Sequence, residues 1–195
     1  MCVACVSRVC KDEPMDEDLR YPIGRYEPLK AVGVTERERW IGEIAEAPAL
    51  LQNAVSGLQP DQLDTPYRPG GWTVRQIVHH LPDSHLNSYI RFRLALTEEE
   101  PTIKPYEEAR WAELPDARTA PVDVSLKLLG ALHERWVLLL RSFGDGDFAR
   151  TFRHPDLGVM KLDKTVGLYA WHGRHHVAHI TALRDRMGWK THVRI

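Results

Sequence analysis

Four of the chain's ten histidines fall within eight residues, at His172, His175, His176 and His179. Imidazole is the commonest side-chain metal ligand and suits zinc, nickel, copper and iron. Two histidines four apart on a helix share a face and can bind one ion. His172 and His176 have that spacing. Tyr169, Gly173, Ile180, Leu183 and Met187 recur with them at three- and four-residue steps, so the pair lies on the inward, apolar stripe of a helix. His175 and His179, also four apart, fall on the flank with Leu168, Trp171, Ala178 and Ala182. A lone histidine on an apolar face is more often a core residue bonded to backbone or water. Two in register, with a third available elsewhere, weigh as much for a metal as for a core.

A catalytic zinc usually has three protein ligands and one open position. A second histidine group, His79, His80 and His85, can supply the third. His80 shares a stripe with Ile77, Leu81, Ser84 and Ser88 and faces inward; His79 points roughly 100° away, and His85 lies nearer the other flank. The expected ligands are therefore His80, His172 and His176. His79, Asp83, His85, His175 and His179 are candidates for holding those ligands from behind, or else surface or core groups. Other chemistries find no footing. Gly173 stands where the general-base Glu of an H-E-x-x-H motif would be, and there is no G-x-S-x-G elbow, phosphate-binding glycine loop or dinucleotide fingerprint.

The elements that must position these residues are helices. Thr35 with Glu38 forms a capping box that would open helix one, whose stripe is Ile41, Ile44, Ala45, Leu51 and Val55. Pro48 lies on that stripe and removes the helix bond to the carbonyl of Ile44, predicting a kink. Helix two opens at Thr73, capped with Gln76, and Pro82 removes the bond to the carbonyl of Val78. Residues 99–121 form a long loop with four prolines, expected to be a lid or a surface covering. Helix three runs from about Pro121 through Leu128, Leu129, Leu132, Trp136, Leu139 and Leu140 and is ended by Gly144 and Gly146. Thr151–His154 and Val159–Leu162 could pair as a short hairpin. Helix four starts near Asp163 as N-cap and stops at Gly188. The pattern implies an all-α four-helix bundle with long connections.

At 195 residues, with 43% hydrophobic and 27% charged residues, the composition is that of an ordinary globular protein. A net charge of −1 gives no electrostatic reason to expect nucleic acid or an anionic membrane as partner. No apolar run would span a bilayer and no signal peptide is evident, so a cytoplasmic location is expected. Cys2, Cys5 and Cys10 lie in a segment, residues 1–17, that reads as a poorly ordered leader, and residues 18–195 read as one domain.

Gly71-Trp72-Thr73-Val74-Arg75-Gln76-Ile77-Val78-His79-His80-Leu81 with Asp83-Ser84-His85, and the run from Trp171 to Ile180, resemble the two histidine motifs of the DinB/YfiT-like superfamily. Tyr21-Pro22-Ile23-Gly24 and Asp64-Thr65-Pro66-Tyr67-Arg68 resemble segments of its YfiT branch, and the likeness covers about residues 18–189. Pro82, where alanine is expected, and the cysteine-bearing leader depart from the pattern. The resemblance implies a four-helix bundle, a homodimer, and one zinc or nickel ion held by His80, His172 and His176. It also implies either a metal-dependent hydrolase or a transferase of low-molecular-weight, bacillithiol-like thiols to an electrophile; a third, non-enzymatic reading is a metal-stabilised bundle, which would need a fourth protein ligand, His79, His85 or His179, to close the site. A metal lowers the pKa of bound water towards neutrality and deprotonates a bound thiol outright. No Glu or Asp lies on the inward face of either histidine motif, which favours the thiol because a thiolate needs no general base. Against that, His175, His179 or a carboxylate from the 99–121 loop could carry protons.

Overall fold

The apolar stripes read from the sequence become four long helices, and side chains accept backbone amides at the N-terminal ends of three of them. The computed structural model describes residues 19–189, so the cysteine-bearing leader lies outside the described residues. The elements are α1 (Val34–Val55), α2 (Pro60–Leu63), α3 (Val74–Thr97), α4 (Glu108–Trp111), α5 (Pro115–Thr119), α6 (Val122–Arg141), α7 (Asp145–Ala149), β1 (Thr151–His154), β2 (Gly158–Lys161) and α8 (Leu162–Met187).

Several boundaries differ from expectation. α1 starts one residue early because Glu36 competes with Glu38 for the role of capping acid. The Gly33 amide donates to the Glu36 carboxylate at 3.0 Å, which places Thr35 already inside the helix. β2 ends at Lys161, paired with Thr151, and the chain passes directly into α8. Asp163 therefore serves that helix from within its first turn, accepting the Lys164 amide at 2.6 Å and pairing with the Lys161 ammonium at 2.7 Å. Pro121 is the cap of α6 rather than its first residue, and the helix ends at Arg141, before either glycine. The cap of α3 forms as read. Thr73 accepts the Gln76 amide, and Gln76 accepts the Thr73 amide in return. Both prolines lie inside continuous helices, Pro48 in α1 and Pro82 in α3.

Named contacts give the helix directions. Gly167 lies against Trp40, Gly173 against Ala47, and Arg184 donates to the carbonyls of Ala54 and Ser56, so α1 and α8 run parallel. His79 with Ser125, His85 with His133 and Phe92 with Trp136 make α3 and α6 parallel as well. His80 beside His176 and His85 beside Tyr169 make α3 antiparallel to α8. α1 packs on α6 and α8, and α3 packs on the same two, which puts α1 and α3 at diagonal corners.

This topology explains the long connection before α6. Because α3 and α6 point the same way, the chain must travel back along a 24-residue helix, roughly 36 Å, before α6 can begin. The returning segment is fastened at both ends. The Ile103 amide donates to Arg153 O and the Arg153 amide to Pro101 O, which anchors it to the hairpin. At the other end Gln76 donates to Ala112 O at 2.8 Å and Arg75 to Ala120 O at 2.9 Å.

The core has two apolar clusters. One gathers around Ile44, Phe92, Trp136, Leu140, Phe152 and Val166, the other around Leu51, Ile77, Leu81, Leu129, Ile180 and Leu183. On α8, the histidines fall between the residues of the two clusters, so a polar layer crosses the middle of the bundle. A buried imidazole is costly unless its nitrogens find partners. That layer is where function must be sought.

Candidate metal centre

α3 and α8, antiparallel neighbours, bring His80, His172 and His176 together. All three are buried, and one nitrogen from each lies within 4.8 Å of the others. His80 Nε2 and His172 Nε2 face each other at 3.4 Å. Two nitrogens at about 2.05 Å from a tetrahedral zinc would stand roughly 3.3 Å apart, so the spacing is that of two ligands to one ion. Protonation does not compete. Burial, reinforced by neighbouring histidines, holds His80 down to about 3 and His172 and His176 well below the ordinary imidazole range. Three neutral imidazoles suit a divalent transition-metal ion by donor chemistry. The Trp72 ring lies 4.6 Å from that of His80 and 6.3 Å from that of His176, an apolar wall beside the triad.

Behind His172 the structure places residues that the sequence did not rank. His172 Nδ1 is 3.1 Å from His85 Nε2, His85 Nδ1 is 2.8 Å from His133 Nε2, and His133 Nδ1 is 2.6 Å from Ile44 O. His85 is fully buried between α6 and α8 rather than on a flank. His133 was missed. It sits in a leucine-rich helix, and the spacing Leu129, His133, Trp136, Leu140 was the only signal that it faces inward. Gly173, vacant of the catalytic glutamate of other zinc helices, has a packing reason. A Cβ there would lie 3.2 Å from Ala47 Cβ and 3.7 Å from His85 Cε1.

The other four candidates do different work. His79 bonds Ser125 Oγ at 2.7 Å and Ala120 O at 3.2 Å, which ties α3 to the start of α6. Since a carbonyl only accepts, His79 donates from Nε2 and accepts the hydroxyl at Nδ1. Asp83 is half-buried, and its carboxyl is pushed up to about 6 by burial and then by Asp116; none of its bonds reaches a histidine of the triad. His175 stacks on Trp171 and lies near Tyr21, while His179 stacks on Tyr67 and donates to Arg20 O at 3.0 Å. These two fix the N-terminal segment along the outer flank of α8.

The open side of the triad is a cavity of about 30 Å³, room for a water or two. His80 and His172 line it together with Ser84, Arg91, Tyr106, Glu108 and His154, over a floor that includes Phe152, Met160 and Tyr169. Tyr106 and Glu108 arrive on the returning connection, and His154 on the hairpin. His154 Nδ1 accepts the amides of Asp156 and Leu157, which leaves its Nε2 as the donor.

A sequence profile described as the DinB superfamily matches residues 43–180. The chain belongs to the DinB superfamily. Within it, a protein of Bacillus mycoides strain KBAB4 named "putative metal-dependent hydrolase" is 57% identical over 173 residues, spanning 89% of this chain and 99% of that protein. A Bacillus cereus protein of the same description is 59% identical over 172 residues, 88% of this chain and 99% of its own. A solved structure of YfiT from Bacillus subtilis, described as a probable metal-dependent hydrolase with an unusual four-helix bundle topology, superposes with a TM-score of 0.87. It shares 53% sequence identity and covers 89% of this chain and 99% of its own. The DinB match runs from the residue before Ile44 to Ile180 and so takes in the triad, His85, His133 and Glu108. Among the described residues, no helix is long and apolar enough to cross a membrane.

Proposed function

We propose that this DinB-superfamily protein is a metal-dependent hydrolase whose divalent ion, zinc or nickel, is held by His80, His172 and His176, and in which Glu108 is the general base. The observation that supports this most is the position of Glu108. The histidine helices offer no inward carboxylate, but the returning connection brings one to the cavity that His80 and His172 line. Bound there, a divalent ion would act as a Lewis acid, lowering the pKa of a water and polarising a substrate oxygen. Glu108 takes the proton that the attacking water loses and returns it to the leaving group, the usual division of labour for a carboxylate base. The His154 Nε2–H and the Arg91 guanidinium, both on the cavity wall, supply donors for oxygens of the substrate. Phe152, Met160 and Tyr169 exclude bulk water beneath them. The names of the similar Bacillus proteins support the same reading.

A second reading, S-transfer of a bacillithiol-like thiol to an electrophile, is favoured by one feature. The rings packed on the triad among the described residues, His85, Trp72, Tyr169, His175 and His179, are all uncharged, so apart from Glu108 across the cavity little offsets the charge of a bound ion, which suits a thiolate partner. Such a reaction needs no base at Glu108. Zinc-loaded protein assayed on carboxylic esters and amides, and separately on a low-molecular-weight thiol with a chloroarene, distinguishes the two when Glu108→Gln is run in parallel. The hydrolase reading expects ester or amide turnover that the variant loses. Thiol consumption that the variant keeps would assign the site to transfer. In either case we expect a homodimer, to be checked by light scattering.

A further inference from the structure

Pro48 and the His85–His133 pair belong to one device, and it ends at the proposed metal ligand His172. Pro48 has no N–H, so the carbonyl of Ile44, four residues earlier in α1, lacks its helical donor. A buried carbonyl without a partner is costly. His133 Nδ1 reaches that carbonyl at 2.6 Å across the α1–α6 interface. The carbonyl can only accept, and this one fact fixes three tautomers in sequence. His133 carries its proton on Nδ1, so its Nε2 presents a lone pair to His85. His85 must then donate from Nδ1 at 2.8 Å, leaving its own Nε2 as an acceptor. His172 in turn donates from Nδ1 at 3.1 Å, leaving its Nε2 unprotonated. That Nε2 is the nitrogen that faces His80 Nε2.

We propose that the carbonyl freed by Pro48 anchors a directional chain, Ile44 O to His133 to His85 to His172, whose role is to fix the tautomer and ring orientation of His172 for metal binding. The proposal rests on the three-histidine metal reading above. Metal-bound histidines commonly donate their second ring nitrogen to a carboxylate or carbonyl, which raises ligand basicity. Here two neutral imidazoles carry that function from a backbone oxygen to the site, without placing a negative charge beside the ion. His85 and His133 are thus positioning residues. At the far end of the chain burial holds the His133 imidazole down to about 4, so it is neutral.

The test reads protons on nitrogens rather than turnover. In ¹⁵N-histidine-labelled protein, with and without zinc, long-range ¹H–¹⁵N spectra should show His133, His85 and His172 all as the Nδ1–H form. An Nε2–H or mixed form at His85 or His133 overturns the chain. Zinc affinity by competition with a chromophoric chelator should fall about 10- to 100-fold in His133→Phe, at unchanged stoichiometry. His133→Gln, which can both donate and accept, should recover part of that loss. Pro48→Ala returns a competing amide to Ile44 O and should weaken zinc by a smaller factor. Unchanged affinity in His133→Phe with mixed tautomers at His85 sinks the chain while leaving the metal site intact. If instead wild type binds no zinc, the metal reading fails, and the wild-type tautomer pattern still tests the chain by itself. If His133→Phe does not fold, the wild-type spectra and Pro48→Ala decide.

Discussion

The two sides of the histidine triad are built from opposite materials. Towards α1 and α6 the groups that reach the triad are uncharged and buried: His85 is fully buried, His133 nearly so, and the last acceptor is a backbone carbonyl. Towards the returning connection and the hairpin the wall is charged and open, with Arg91, Glu108 and His154 around a cavity. Both sides touch the same two helices, so the difference lies in what each must do. The closed side fixes where a lone pair points, which calls for rigid groups with a single hydrogen-bonding solution. The open side handles protons and substrate oxygens, which calls for groups that can change charge. The asymmetry follows from topology. α1 and α6 are packed helices, whereas the opposite wall is made of the hairpin and of the connection that must run back along the bundle.

The comparison can be broken from either side. The largest effect is expected on the open side. Glu108→Gln should lower kcat on a hydrolysable substrate about 10²- to 10⁴-fold with zinc stoichiometry unchanged, measured on metal-loaded protein. A fall in bound zinc instead would show that Glu108 serves the ion rather than the proton. On the closed side, Gly167→Ala forces a Cβ to 2.9 Å from the Trp40 ring and wedges α1 away from α8. Overpacking, set against the better helix propensity of alanine, should cost about 1–2 kcal/mol in chemical denaturation. A variant as stable as wild type would mean that this helix pair adjusts freely, and the closed side would lose its rigidity argument.

The smallest effect concerns the point where α3 meets the returning connection. Asp83 is raised to about 6, by burial first and by Asp116 second. A carboxyl with a raised folded-state value binds its proton more tightly folded than unfolded, so it costs stability above the unfolded value of 3.8, and the cost grows up to about pH 6. Asp83→Asn should therefore stabilise the protein by about 1 kcal/mol at pH 8, a figure already discounted for solvent screening, and by almost nothing near pH 4. A benefit that persists at pH 4 would point to packing rather than charge.

The legibility of the molecule follows the same division. The four long helices and the all-α bundle could be read because stripes such as Ile77, His80, Leu81 and Ser84 repeat at helical steps. His80, His172 and His176 were singled out by the same periodicity, and the structure brings them within reach of one another. His133 could not be ranked, since its meaning depends on His85, 48 residues away, and on a carbonyl in α1. The proline that frees this carbonyl was visible, but nothing local says which donor would find it. A carboxylate from the 99–121 loop was anticipated, but which one could not be read, for another reason. The place of Glu108 in the cavity depends on the path of the returning connection, and that path is set by the parallel arrangement of α3 and α6. End effects were the least readable: Gly33 with Glu36 and Thr35 with Glu38 offer two overlapping caps, and the chain takes the first.

The measurement that tests the account most directly is the metal content of the purified full chain, by elemental mass spectrometry, for wild type, His80→Ala and His172→Ala. The account predicts about one zinc or nickel ion per wild-type chain and a large loss in each variant. Wild type that carries no metal and cannot be loaded with zinc or nickel would contradict it, and the histidine layer would then be a hydrogen-bonded core.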